Sequence, residues 1–202
     1  MMSENNSRNK ILSRLRANTC ESHEMPDLDT LSPIRYADPV AQFKDQATGS
    51  AGAKVIELTE SGTLDDAIRS VYPDAKVIAS NLEGVSSSLN PDTVESAQEL
   101  SAADVGVVKG DIGVAENACI WIPQTMKERA ICFASEYLVI VLEKSKIVNN
   151  MHEAYELIAN SVEYFKEYKF GTFISGPSKT ADIESALVYG AQAARGVTII
   201  LI

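Results

Sequence analysis

Short runs of Val, Ile and Leu alternate along this chain with segments whose apolar residues recur every third or fourth position. The runs at 54–58, 76–80, 105–109, 112–115, 119–122, 138–143, 172–175 and 197–202 have the length and β-branched content of strands. Helical spacing shows at 37–49, at 64–72, where Pro73 ends it, and at 151–165, the longest such stretch. Residues 81–100, with SSSLNPD inside them, read as loop and short helix. Near the amino end, residues 9–16 place Ile11, Leu12 and Leu15 on one helical face and Lys10, Arg14 and Arg16 around the rest. A polar linker with Pro26 and Pro33 follows.

Strands separated by helices predict the α/β class, as a three-layer α/β/α arrangement whose mainly parallel sheet is covered on both faces. The predicted division is an N-terminal helix and linker at 1–36 and one α/β domain at 37–202. A chain of 202 residues can bury roughly 70% of the surface its unfolded form exposes, so its core needs no disulfide or metal. In sheets of this kind ligands lie beyond the carboxyl ends of strands. Loops at strand ends are therefore where chemistry is sought.

Charge and cysteine content narrow the function classes. With 28 acidic against 18 basic residues, net −10, the chain has no excess positive charge to displace counterions from a phosphate backbone, which argues against nucleic acid. Apolar runs such as 138–142 fall far short of the roughly 18 residues that span a bilayer. No apolar leader opens the sequence, so a cytoplasmic protein with no membrane contact is expected. Cys20, Cys119 and Cys132 are widely spaced and too few for the four thiolates of a usual iron–sulfur cluster or Cys₄ zinc site; no cofactor or metal is expected in this chain. Cys119 and Cys132 sit among apolar residues and read as buried thiols. Of the two histidines, His23 falls in the linker and His152 at the start of a helix.

The stretch FGTFISGPSKTADIESALVYGAQ, 170–192, carries the clearest local signal. A strand-like run breaks at Gly176-Pro177, where glycine allows positive φ or a close backbone approach to a ligand and proline forbids a continuing ladder. Ile183, Ala186, Leu187, Gly190 and Ala191 then recur at helical spacing, with Ser178 or Thr180 as cap and Asp182 and Glu184 in the first turn. A helix N-terminus with Lys179 beside it would bind a phosphate or carboxylate. Gly176, Pro177, Ser178, Lys179, Thr180 and Asp182 are the predicted ligand-binding residues. A capped turn with a solvated lysine is the plainer alternative.

Beyond the local pattern, ISGPSKTADIE at 174–184, followed by VTIILI at the carboxyl end, resembles the signature of the lactate-utilization protein C family, whose fold is the LUD domain. VGVVKGDIGVAENACIWIP at 105–123 resembles its second motif, with the Ala115-Glu116 pair, and LVIVLEKSKIV at 138–148 its next strand. The likeness runs from about residue 55 to 202. Two departures stand out. Family members commonly read Ala-Glu-Thr-Gly-Thr where this chain has Ala115-Glu116-Asn117-Ala118-Cys119, and commonly carry His-Gly-Pro near Gln192-Ala193-Ala194. The resemblance implies a fold like that of glucosamine-6-phosphate isomerase, ribose-5-phosphate isomerase and CoA transferase. It also implies a part in oxidising L-lactate to pyruvate with partner proteins that carry iron–sulfur clusters.

Glu116 is the carboxylate to test as acid, base or nucleophile, with small neighbours that let a ligand approach and Asn117 beside it as a ligand contact. A turn glutamate bonded to backbone N–H groups is the alternative. Three functions remain open from the sequence: a lactate-system subunit that binds a small organic anion or organises its iron–sulfur partners, an isomerase- or transferase-like enzyme acting on a sugar phosphate or CoA ester, and a non-catalytic assembly module. Catalysis by this chain alone and self-association are both left open.

Overall fold

The computed structural model describes residues 4–19, 23–24, 26–27, 30–160, 170–183 and 186–202, with the side chains at 4–6, 182 and 183 excepted. Two compact units result, Met1–Ser32 and Pro33–Ile202. The first contains helix α1 (Glu4–Ala17), which starts five residues before the apolar spacing predicts, with Ile11 and Leu15 exposed.

The second unit begins with α2 (Pro39–Gln46), capped by the Asp38 side chain, which accepts the Ala41 N–H, and opened by a proline that needs no N–H partner there. Its last turn widens into a π-helical segment, Ala47–Ala51, closed by Gly52 in the left-handed region (φ 76°). β1 (Lys54–Glu57), α3 (Leu64–Val71) and the very short β2 (Ile78–Ala79) follow. Thr63 caps α3, and Asp65 and Asp66 fill its positive first turn. After a 3₁₀ turn at Ala97–Ala102 come β3 (Val105–Lys109), β4 (Ile112–Val114), β5 (Ile120–Pro123), the single turn α4 (Ile131–Ala134), β6 (Tyr137–Leu142) and β7 (Ile147–Val148). The described part of α5 is Met151–Asn160; residues 161–165 of the predicted helix lie outside the described residues. β8 (Gly171–Ile174), β9 (Lys179–Ile183), β10 (Ala186–Tyr189) and β11 (Gly196–Leu201) complete it.

The central sheet is parallel throughout, in the order β1-β11-β6-β3-β2. β3, β6 and β11, its inner strands, are buried on both faces along most of their length, which is why they read as near-continuous apolar runs. Alternate side chains divide two cores. Val105, Val107, Val139, Val141 and Ile200 face one way, with Ile68 of α3 in the same cluster. Leu138, Ile140, Leu142, Ile199 and Leu201 face the other, with Phe43 of α2, Ile131 of α4, and Ile120 and Ile122 of β5. The mainly parallel α/β prediction holds, with one correction of consequence. The strands expected to form one sheet form two, because β4, β5, β7 and β8 make a second, mixed sheet ordered β7-β4-β5-β8. β5 packs its Ile120 and Ile122 onto the central sheet, and α5 packs Ala154 with Ile112 and Val114 of β4. Short apolar runs cannot reveal which sheet a strand joins, since pairing partners are decided by long-range contacts.

The second correction concerns the segment after Gly176. The predicted helix is a hairpin: β9 pairs antiparallel with β10, Ile183 opposite Ala186 and Lys179 opposite Tyr189. Thr180, Ile183, Val188 and Tyr189 are residues that strands favour, and a short apolar run satisfies both periods. The hairpin base decides it: Ser178 N–H donates to the Ala194 carbonyl (2.9 Å) and Gly190 N–H to the Ser178 carbonyl (3.0 Å).

Candidate functional site

Three segments far apart in sequence line one cleft of about 490 Å³: Gln46, Ser50 and Ala51 from the end of α2 and its π turn, Glu116 and Asn117 from the β4–β5 turn, and Ser175, Pro177 and Lys179 after β8. Both predicted motifs are thus in it, yet neither leaves the central sheet. They follow strands of the second sheet, so the expectation of a site at the carboxyl edge of the parallel strands is corrected. That edge is occupied by ion pairs instead. Glu57, at the end of β1, meets Lys44 Nζ at 2.7 Å and Lys144 Nζ at 2.6 Å, and Lys109 meets Glu143 at 3.0 Å. The Lys144 and Lys44 ammonium groups hold the Glu57 carboxyl down at about 2.

Glu116 is half-buried and anchored on both sides. Its N–H donates to the Asn149 carbonyl (3.1 Å), and its Oε1 accepts the Met151 N–H at the first turn of α5 (2.9 Å). A carboxylate there satisfies an otherwise orphaned N–H and meets the positive end of the helix dipole. The same turn is braced by Asn150, fully buried, whose Oδ1 accepts the Glu153 N–H and whose Nδ2 donates to the Ile34 carbonyl. Glu116 therefore has a structural duty, the turn-glutamate alternative, while one of its oxygens is enough to perform it.

Asn117 is exposed and folds its Oδ1 back onto the Cys119 N–H (3.0 Å), an Asx turn. Ser175 Oγ donates to the Asn117 carbonyl (2.8 Å), tying the two motif turns together. The Cys119 thiol is raised by burial, an effect the Ser175 hydrogen bond opposes and the Glu116 charge reinforces; burial alone pushes Cys132 up to about 12. Both shifts run toward the protonated thiol, the less nucleophilic form.

Gly176 does have the positive φ expected of it (66°), but its bare side faces protein. A Cβ there would stand 2.2 Å from the Ala51 carbonyl oxygen. The glycine is required so that this loop can press on the π turn, and of the two uses open to it the positive φ is the one its contacts demand. With no helix following, the helix-dipole part of the predicted anion site also falls. Pro177 is buried; Ser178 is half-buried, with its N–H and carbonyl both used at the hairpin base. Thr180 and Asp182 lie on β9, and the Asp182 side chain is outside the described residues.

Lys179 is what remains of the cationic prediction, and it is placed well. It opens β9, lies against Gly52, and donates from Nζ to the Ser50 carbonyl at 3.1 Å. Among the described residues it meets no carboxylate, in contrast to Lys44, Lys109 and Lys144. An ammonium has three donors and one is used here. Two can turn to an anion in the cleft.

The family model of the LUD domain matches residues 57–202, nearly the whole of the second unit and both walls of the cleft that follow strands. The chain belongs to the LUD domain family. Among curated relatives, lactate utilization protein C from an Exiguobacterium species is 30% identical over 161 residues, covering 71% of this chain and 69% of the relative. Its namesake from Deinococcus radiodurans is 25% identical over 88% of this chain and 86% of its own. The Shouchella clausii protein of the same name is 32% identical, but the match spans only 44% of its length and 50% of this chain. The fold also matches the crystal structure of a DUF162 family protein from Deinococcus radiodurans, with a TM-score of 0.60 at 18% identity over 84% of this chain and 99% of that one.

Within this LUD domain the departures noted in the sequence acquire a structural setting. Ala118, at the place of the family's common glycine, is buried and has φ 54°, a left-handed conformation costing a non-glycine residue about 1 kcal/mol or more. Gln192, Ala193 and Ala194, the second departure noted in the sequence, line a second hollow of about 360 Å³ on the other side of the Gly176 loop. Sequence reasoning missed Gln46, Ser50 and Ala51. Their one signal is the small-residue run from Ala47 to Gly52, which reads simply as the end of a helix.

Replacing Glu116 by Gln separates its two duties. The amide oxygen can still accept the Met151 N–H, so the melting temperature should stay within a few degrees. Removing a negative charge from the cleft should tighten anion binding, while any turnover that needs a carboxylate should fall by about 10²-fold or more. Anion affinity and turnover both unchanged would leave Glu116 with the structural duty alone.

Proposed function

We propose that this LUD domain serves lactate utilisation by binding a small organic anion in the Lys179 cleft, with Glu116 and Asn117 on the facing wall. Electron transfer from lactate would then be carried by iron–sulfur partner proteins, this chain holding the organic acid or organising the complex. The observation that carries the reading is the convergence of two motif turns, some sixty positions apart in sequence, on one cleft whose lysine has donors to spare. The family membership and the name that its relatives share, lactate utilization protein C, support the lactate context.

Lys179 is exposed, so its contact with an anion is screened by water and salt. Lys179→Ala should therefore weaken lactate or pyruvate binding by about fivefold, roughly 1 kcal/mol, with no loss of fold. Calorimetric titration at low and high salt measures it. Equal binding by both proteins would remove Lys179 from the site. Separately, a lactate-dependent dye-reduction assay with co-expressed iron–sulfur partners should lose activity when this chain is omitted, and activity indifferent to the omission would sink the subunit role.

A further inference from the structure

The Lys179 cleft leaves room beyond the three-carbon acid that the lactate context suggests. At about 490 Å³ it falls within the range of roughly 300–1,000 Å³ typical of sites for drug-sized ligands, whereas a three-carbon acid displaces only a few waters of about 30 Å³ each. Nor does it stand alone. Ser175 and Pro177 line both this cleft and the second hollow of about 360 Å³, so the loop at 175–177 is a saddle between them.

The two sides of the saddle differ in chemistry. On the cleft side stand Lys179, Glu116, Asn117, Gln46 and Ser50, groups that recognise charge and hydroxyls. The hollow is walled by Cys132, Phe133, Leu138, Phe173, Ala193 and Val197. Its thiol is protonated at neutral pH, so Cys132 acts there as a small apolar group. Leu138, Val197 and Cys132 each keep 4% or less of their surface exposed, which makes this wall part of the packed core and fixed in shape. Phe133 is 43% exposed at the rim, an aromatic surface left for something to cover.

We infer that the ligand of this site is an amphipathic organic acid: a carboxylate at Lys179 joined to an apolar arm of several carbons that crosses the Ser175–Pro177 saddle into the hollow walled by Phe133, Leu138, Phe173 and Val197. This rests on the reading of the Lys179 cleft as an anion site, and goes beyond it by naming a substrate class longer than lactate. The bare Ala193 and Ala194 in the hollow give the arm its room. Larger side chains at either position would occupy it.

The test is a titration of the full chain with a homologous series: lactate, 2-hydroxyhexanoate, 2-hydroxyoctanoate and 3-phenyllactate. Each buried methylene strengthens binding by about fourfold, so the six-carbon acid should bind at least about tenfold more tightly than lactate. Ala193→Phe should abolish that gain. Lys179→Ala should weaken every member alike. Should Ala193→Phe prove unfolded by circular dichroism, Ala193→Leu serves the same purpose, and the chain-length series on the native protein stands without either. A flat series that still depends on Lys179 would overturn the amphipathic ligand and leave the anion site intact. No binding by any member, or a series indifferent to Lys179→Ala, would overturn the anion site itself.

Discussion

Gly176→Ala should unfold this protein or cost it at least about 3 kcal/mol, an unusually large effect for a single added methyl. Two penalties add. At φ 66° an alanine pays about 1–2 kcal/mol for the left-handed conformation, and its Cβ would stand 2.2 Å from the Ala51 carbonyl oxygen and 2.8 Å from the carbonyl carbon. Backbone cannot move aside as a flexible side chain can, so either the π turn or the hairpin base must shift. The hairpin base is held by Ser178 N–H on Ala194 and Gly190 N–H on Ser178. The π turn is seated by Ala47 and Ala51, both buried. Gly49→Ala is the matched control. It lies in the same π segment, has ordinary φ, and a Cβ there meets nothing within 4 Å. Its stability should change by less than about 1 kcal/mol. Chemical denaturation of both variants measures the difference, and equal stability would show that the Gly176 loop does not rest on Ala51.

Phe43→Ala should be the most costly truncation on α2, about 3–5 kcal/mol. Phe43 is fully buried in the core beneath the central sheet, with its ring edge against Gly113 of β4, so it couples α2 to both sheets. A helix of eight residues has little stability of its own and is held by the face it buries. The loss should therefore reach the cleft as well, since α2 and its π turn supply Gln46, Ser50 and the carbonyl that receives Lys179. A fall in stability with unchanged anion affinity would show that the π turn keeps its position independently of α2. Phe43→Leu, which restores most of the buried volume, should recover the greater part of both.

Much of the secondary structure is legible without coordinates because it is local chemistry. Pro73 just after α3 and the Val- and Ile-rich runs of β3, β6 and β11 announce themselves through helix termination, propensity and burial on both faces of a parallel sheet. The two motif turns were legible as well, down to Glu116 and Lys179. What failed was the segment after Gly176, where five apolar positions fit a 3.6-residue period and a hairpin equally, and only the bonds from Ser178 to Ala194 and Gly190 choose. At Gly176 the sequence left positive φ and a close backbone approach side by side, and the structure shows the first, with the Ala51 carbonyl against the bare side. A sequence states that a side chain is absent but not what fills the space.

By itself the sequence determined the α/β class, the positions of most strands and helices, and the two turns that carry the candidate chemistry, because each depends on residues within a few positions of one another. Tertiary structure alone decided that β4, β5, β7 and β8 form a separate sheet, that the π turn of α2 closes the cleft, that Lys44, Lys109 and Lys144 are engaged by carboxylates while Lys179, among the described residues, is not, and that a second, apolar hollow lies across the same loop. These depend on pairings between segments tens to more than a hundred residues apart, such as Lys179 with Ser50 and Ser175 with Asn117, and no periodicity along the chain records them.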